Sequence, residues 1–277
     1  MKLSHVAHAL YCEPWAIRPD MYLTMHNILQ MHMRGEMPET SALWGMDDDK
    51  PTGPLAYEII DGVAVVPISG VLGKRMSNFE KSCGGCDYDD ITAVVKMIDD
   101  DPAIKAAVFD YDSPGGNVTG LREAAQAVKQ INKPSVAYTE LVAASAAYYL
   151  MCGSDAVYTA YSSQVGCIGT IMSFLDLSKY YENAGAKVEV ISSGIHKGAG
   201  IPGTSLTEEQ RTLLENNVMS LADEFYSWVR LSRGAIKESD MQGQCFRGSE
   251  AVKIGLTDRV GSLSDAIAEA KAMTARR

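Results

Sequence analysis

No apolar run in the sequence reaches the roughly 20 residues that a membrane helix needs; the longest, Leu141 to Cys152, falls well short. The opening Met1-Lys2-Leu3-Ser4-His5-Val6 has no basic segment followed by an unbroken apolar one, so no signal peptide is read there and the mature chain is expected to begin at Met1. Basic residues are in the minority, 25 against 35 acidic ones for a formal charge of −10, which argues against the basic face of a general nucleic-acid binder. Histidine is scarce, and His5, His8, His26 and His32 lack metal-ligand spacing. The six cysteines, at 12, 83, 86, 152, 167 and 245, form no regular framework and are expected to be reduced and packed. Cys83-Gly84-Gly85-Cys86 has metal or redox spacing, but without a second such pair or neighbouring histidines it reads as a loop carrying two thiols. Internal repeats and low-complexity tracts are absent. These absences lead to the expectation of a soluble cytosolic protein with no metal, no cofactor, no nucleic acid and no membrane among its partners.

What is present suffices for a sizeable core: 46% of 277 residues are hydrophobic. Met21, Met25, Ile28, Leu29 and Met33 recur at helical intervals and predict an amphipathic helix over Asp20 to Met33. Gly35 to Gly53 reads as a linker. From Ile59 to Leu72 a strand, an Asp61-Gly62 turn and a second strand are predicted. Then come a helix over Tyr88 to Asp99, a strand over Ile104 to Tyr111, a helix over Val118 to Ile131 and a strand over Ser135 to Thr139. A helix starting at about Ser145, within the apolar stretch Leu141 to Cys152, and a short strand over Ala156 to Thr159 follow. The alternation predicts an α/β fold with a parallel sheet. Beyond it, Gln164 to Thr170 is a glycine-punctuated turn or strand pair, Leu177 to Ala184 a helix and Lys187 to Ser192 a strand. Thr207 to Leu231 is the longest helix, opened by a capping box between Thr207 and Gln210. Cys245 to Gly261 reads as a helix, a turn and a last strand, and Ser264 to Arg277 as a closing helix.

Ser145 is the one residue of Leu141 to Cys152 with a reactive hydroxyl, and it stands where unpaired helix N–H groups favour an anion. The same stretch also suits a buried alanine-rich helix whose serine back-bonds to the chain. A serine nucleophile needs a base and donors for the oxyanion. His196 and Lys197 are the candidates for the base, with Lys197 the better one. A lysine serves only where desolvation lowers its pKa from about 10.4 towards neutrality, and the small apolar surroundings of Ser145 would provide that; a solvated loop lysine is the alternative. Gly115-Gly116, after a strand, offers unobstructed N–H groups that with the N–H of Ala146 would form an oxyanion hole, or else is a plain β-to-α turn. A Ser-Lys dyad needs no third acidic partner. Gly194 to Gly200 lacks the residue order of a phosphate loop.

Together these pieces resemble one family. Asp112-Ser113-Pro114-Gly115-Gly116, Ala143-Ala144-Ser145-Ala146-Ala147-Tyr148-Tyr149, Gly166-Cys167-Ile168-Gly169 and Ser193-Gly194-Ile195-His196-Lys197 are similar, in order and spacing, to motifs of the signal peptide peptidase A-like serine peptidases. The resemblance covers roughly Ile59 to Gly261. It implies the Clp protease/crotonase fold, of repeated ββα units with a parallel sheet flanked by helices, usually in a ring-like homo-oligomer. By position it makes Ser145 the nucleophile, Lys197 the general base, Gly116 and Ala146 the oxyanion donors, Gly115 and Gly169 substrate-binding residues, and His196 a bystander. It implies an arm and linker over 1–54, a peptidase domain over 55–265 and a helical tail over 266–277. Ser145-Ala146-Ala147 replaces the commoner Ser-Gly-Gly, and the membrane anchor of the bacterial enzymes is absent from the sequence. Ala9 to Ile17 looks like the corresponding segment of phage-encoded members, which process scaffold and other head proteins in the host cytoplasm or prohead. The same fold also carries crotonase-type acyl-CoA enzymes, which would need neither Ser145 nor Lys197, and a non-catalytic oligomeric assembly protein is a further alternative.

Overall fold

The computed structural model describes residues 10, 11, 13–34, 55–82 and 84–276. The linker over Gly35 to Gly53, His5, His8, Cys12 and Cys83 lie outside the described residues, and with them the two-thiol loop. The chain opens with β1 (Trp15–Ile17) and α1 (Pro19–Met33). The hairpin β2 (Glu58–Ile60) and β3 (Val63–Ser69) turns at Asp61 and Gly62, both at positive φ (50° and 82°), as a two-residue type I′ turn requires.

Three ββα units follow, each with a long strand, a short strand and a helix. The first is β3 with β4 (Val71–Gly73) and, after the short α2 (Asn78–Ser82) and β5 (Gly85–Asp87), α3 (Tyr88–Asp100). The second is β6 (Ala106–Asp112), β7 (Gly115–Asn117) and α4 (Leu121–Lys129). The third is β8 (Ser135–Thr139), β9 (Val142–Ala144) and α5 (Ala146–Met151). Then come β10 (Ala156–Thr159), β11 (Gln164–Gly166), α6 (Ser178–Asn183), α7 (Glu208–Arg233), β12 (Cys245–Arg247), α8 (Gly248–Lys253), β13 (Arg259–Val260) and α9 (Leu263–Thr274).

The long strands form a six-stranded sheet in the order β13-β10-β8-β6-β3-β2, parallel except for the β2–β3 hairpin. Its central strands β6, β8 and β10 are buried on both faces, so they are nearly continuous apolar runs whose alternate residues serve different cores. In β6, Ala107, Phe109 and Tyr111 join the large core with α3, α4 and α5, while Ala106 and Val108 face Ala266 and Ala270 of α9. The short strands form two further sheets, β1-β7-β4-β5 and β12-β11-β9. The α/β architecture of a parallel sheet flanked by helices is therefore the one expected.

Three segments differ from their sequence patterns. The helix begins after Ser145 as expected, but the alanine run ahead of it is not helical: Val142–Ala144 is a strand in register with Gln164–Gly166, and Ala143 bridges to Ser113 on its other side. Two flanking chains override the helical preference of alanine there. Lys187 to Ser192 alternates like a strand but is irregular and exposed, with Ile191 96% accessible. Alternation makes a strand only where a neighbouring chain completes the ladder, and none pairs with it among the described residues. Cys245 to Arg247 has the pattern of a helix start and is instead strand β12 against β11.

Candidate active site

Ser145 occupies the junction of β9 and α5 as the residue before the first helical turn, with φ 56° and ψ −117°. A positive φ costs a non-glycine residue of order 1–3 kcal/mol and persists only where the surroundings over-determine it. They do so here. The Ser145 N–H donates to the Gly166 carbonyl at 2.7 Å and the Ser145 carbonyl accepts from Tyr149 N–H at 2.9 Å. Ala143, Ala144, Ala146 and Ala147 are wholly buried around it, which explains the run of small residues. The helix behind is pinned by two side-chain bonds: Tyr148 O–H donates to the Leu256 carbonyl at 2.6 Å, and Trp228 Nε1–H to the Tyr149 carbonyl at 2.9 Å. Ser145 Oγ points at the Gly169 carbonyl, 3.5 Å away. The start of α5 leaves the N–H of Ala146 without an intrahelical acceptor.

Gly115 and Gly116 are glycines because backbone crowds them. A Cβ on Gly115 (φ 104°) would lie 2.3 Å from Ala16 O and 3.0 Å from Ala144 O, and one on Gly116 would lie 2.0 Å from Leu72 O. The Gly115 N–H donates to Ser113 Oγ at 3.2 Å, and Ser113 O–H in turn to the Gly70 carbonyl at 2.6 Å. The close approach of Ala16 and Ala144 to one point beside Gly115 puts the glycine strand against the residue preceding Ser145. Ser145 thus meets Gly169 through its Oγ, and Gly115 lies against Ala144, the residue before the serine.

Lys197 does not join them in the single chain. It lies with His196 on an exposed turn, its N–H donating to the Gly194 carbonyl at 3.1 Å, and its side chain forms no hydrogen bond or ion pair among the described residues. The turn is tethered through Gln210, whose Nε2–H donates to the Ile195 carbonyl at 2.6 Å while its Oε1 caps Thr207 N–H at 3.1 Å. Residues 195 to 198 are thus a run of turns. Two of the free thiols are poor nucleophiles: burial pushes Cys86 and Cys152 up to about 12. Among the described residues, no group of three His, Cys, Asp or Glu side chains could hold a metal ion, and no helix is long and apolar enough to cross a membrane.

Residues 127–276 match the model of peptidase family S49. The chain belongs to peptidase family S49. The matched span holds Ser145, Gly169 and Lys197. Similar proteins include the capsid assembly protease C of Escherichia phage lambda, 28% identical over 82% of this chain and 53% of the relative. The head-tail preconnector protein GP5 of Enterobacteria phage P21 is 25% identical over 96% of this chain and 56% of its own length. The putative signal peptide peptidase SppA of Enterococcus faecium is 32% identical over 62% of this chain and 52% of the relative. This S49 chain spans about half the length of the curated relatives it matches.

Two features of the site have no signal in the sequence patterns. Cys167 follows Gly166, the residue that holds the Ser145 N–H, and its side chain hydrogen-bonds Cys245; that contact and burial raise the Cys167 thiol, while the same contact lowers Cys245. Only the β11–β12 pairing, Gly166 opposite Cys245, brings them together. The other is β1, which pairs with the glycine strand through Ala16 opposite Gly116. Trp15-Ala16-Ile17 is apolar enough to suggest a strand, but nothing local names its partner.

Proposed function

We propose that this S49 chain is a serine endopeptidase working through a Ser145–Lys197 dyad. The observation that carries the reading is the strained, buried Ser145 at the start of α5, its Oγ aimed at Gly169 and the residue before it packed against Gly115. Ser145 Oγ attacks the scissile carbonyl and passes its proton to neutral Lys197. The oxyanion accepts from the N–H groups of Gly116 and Ala146, and the substrate runs between Gly115 and Gly169. The proton returns to the leaving amine, and water then releases the acyl group by the same steps in reverse order. Because Lys197 is solvated on its turn, the reading requires the turn to be covered before the lysine can act as a base. Packing between copies in a ring-like homo-oligomer would supply that cover. The exposed Ile191 and Ile195, 96% and 68% accessible beside it, suit such burial.

The likeness to the phage lambda capsid assembly protease supports protein substrates of head assembly, scaffold or other head proteins, processed in the host cytoplasm or prohead during capsid maturation. The test is turnover of an unfolded protein substrate. Ser145→Ala and Lys197→Ala are each expected to bring cleavage close to background, whereas His196→Ala leaves it within a few-fold. A Ser145→Ala chain that cleaves at the unsubstituted rate, or a Lys197→Ala chain that does, refutes the dyad.

A further inference from the structure

One strand beside the site belongs to no ββα unit. Trp15–Ile17 runs antiparallel to Gly115–Asn117, with Trp15, Ala16 and Ile17 opposite Asn117, Gly116 and Gly115. On its other side Trp15 exchanges two hydrogen bonds with Ile171, both 2.8 Å, two residues beyond Gly169. The strand is thus flanked by the glycine strand on one edge and by the segment after Gly169 on the other.

Its register is set by the bonds at either end, Arg18 N–H to Pro114 O at 2.9 Å and Val118 N–H to Pro14 O at 3.3 Å. Antiparallel ladders alternate, so the pair between them, Ala16 and Gly116, also exchanges both bonds. The Gly116 N–H therefore donates to the Ala16 carbonyl. Ala16 O is also the atom nearest the missing Cβ of Gly115, with Ala144 O next to it, one residue before Ser145. A peptide carbonyl lies where a substrate's would have to lie if Gly116 is an oxyanion donor. The ends are fastened by side chains: Asn117 Nδ2–H to Glu13, Arg18 Nη1–H to Gln164 Oε1 at 3.2 Å, and, just beyond the strand, Ser173 O–H to Tyr22 Oη at 2.5 Å, the Tyr22 proton going to the Leu10 carbonyl.

We infer that residues 13–18 are an intramolecular strap occupying the peptide groove of this S49 chain. An extended segment of a protein substrate displaces it by forming the same two-sided ladder. The inference rests on the serine peptidase reading for what the groove is for, but not for the strap's presence there. Edge addition of a strand draws its affinity from main-chain bonds, so one peptide can replace another. The strap is tethered close to its groove, at an effective concentration in the millimolar range for a short connection. Isolated short peptides therefore compete poorly, while a large substrate that makes further contacts competes well.

The test uses the full chain with Ala16→Pro, which removes the N–H donated to Gly116 and cannot continue the ladder. A fluorescent peptide of residues 13–18 is expected to bind this variant at least tenfold more tightly than the unsubstituted chain, and the Gly116 amide to exchange with solvent faster. Cleavage of unfolded casein should rise at least tenfold and fall again when the unlabelled peptide is added. Should Ala16→Pro fail to fold, Trp15→Pro, which removes the N–H donated to the Ile171 carbonyl on the strap's other edge, decides by the same readings. Equal peptide binding by variant and unsubstituted chain overturns the strap, as does unchanged cleavage where Gly116 exchange has accelerated. Casein cleavage that persists when Ser145→Ala is added instead refutes the nucleophile, and the peptide-binding result stands apart from it.

Discussion

Trp228→Phe isolates the support beneath the nucleophile. Trp228 is 6% exposed, stacks on Tyr149 with ring centroids 5.2 Å apart at 8°, and carries Lys129 Nζ 5.9 Å from its ring. Its Nε1–H is bonded to the Tyr149 carbonyl near the end of α5. In an uninterrupted helix that carbonyl would accept from Gly153 N–H, but Gly153 donates to Leu150 at 2.9 Å. Phenylalanine therefore leaves a buried helix-end carbonyl without a partner, at a cost of about 1–3 kcal/mol. The smaller ring forfeits roughly 40 Å² of buried apolar surface, adding about 1 kcal/mol. The expected loss is about 2–4 kcal/mol, seen as a Tm lower by about 5–10 °C. In urea, the midpoint should fall with the slope m unchanged. Since α5 begins at Ser145, turnover measured where the variant is fully folded should also fall. A stability loss below about 0.5 kcal/mol would refute the assignment of this indole as the helix's missing donor.

Other predictions concern single contacts. Asp110 is pushed up to about 6 by burial, with Glu140 and Asp112 adding to the rise. The folded state thus holds that proton more tightly than the unfolded one, and this group's contribution makes stability fall as pH climbs from about 4 to 6. Asp110→Asn should flatten that fall in urea midpoints taken across the range; an unchanged slope counts against it. Thr207→Ala removes the side chain that accepts from Gln210 N–H at 3.3 Å, and should cost about 1 kcal/mol by thermal unfolding. Gly248→Ala puts a Cβ 2.0 Å from Ala160 O and 2.7 Å from Thr159 Oγ1, so a loss of about 3 kcal/mol or more is expected by the same assay. A mild effect there would mean that the start of α8 can move away from β10.

Most of the framework is legible in the amino-acid sequence, because its signals are local. Ser135–Thr139 and Ala156–Thr159 have the predicted bounds, since a short apolar run between breakers needs no distant information to mark a buried strand. The Thr207–Gln210 capping box is likewise written within four residues. Errors arise where a distant partner decides. Alanines 143 and 144 favour helix, yet the chain at Gly166 and the one at Ser113 make them strand. Lys187 to Ser192 has the pattern of a strand and, among the described residues, no neighbour. The candidate site divides in the same way: Ser145, Gly115, Gly116, Ala146 and Gly169 announce themselves by small size or a reactive group, and of these Ser145 meets Gly169 while Gly115 lies against Ala144. Lys197 stands in a family motif, and its place relative to Ser145 depends on packing that a motif does not encode. Trp15–Ile17 is legible as a segment but not as an occupant, because its partners lie far along the chain.

The small β12-β11-β9 sheet bears on when the backbone around Ser145 is completed as the chain folds. Ser145 is held through Gly166, and Gly166 pairs with Cys245 in β12. The geometry of Ser145 is therefore closed by a strand that leaves the ribosome long after the serine has emerged. Contacts this distant in sequence form late and slowly. A nascent chain stalled before Arg247 would carry Ser145 without the strand that seals its register. The register around Ser145 is thereby completed only once β12, far along the chain, has joined β11.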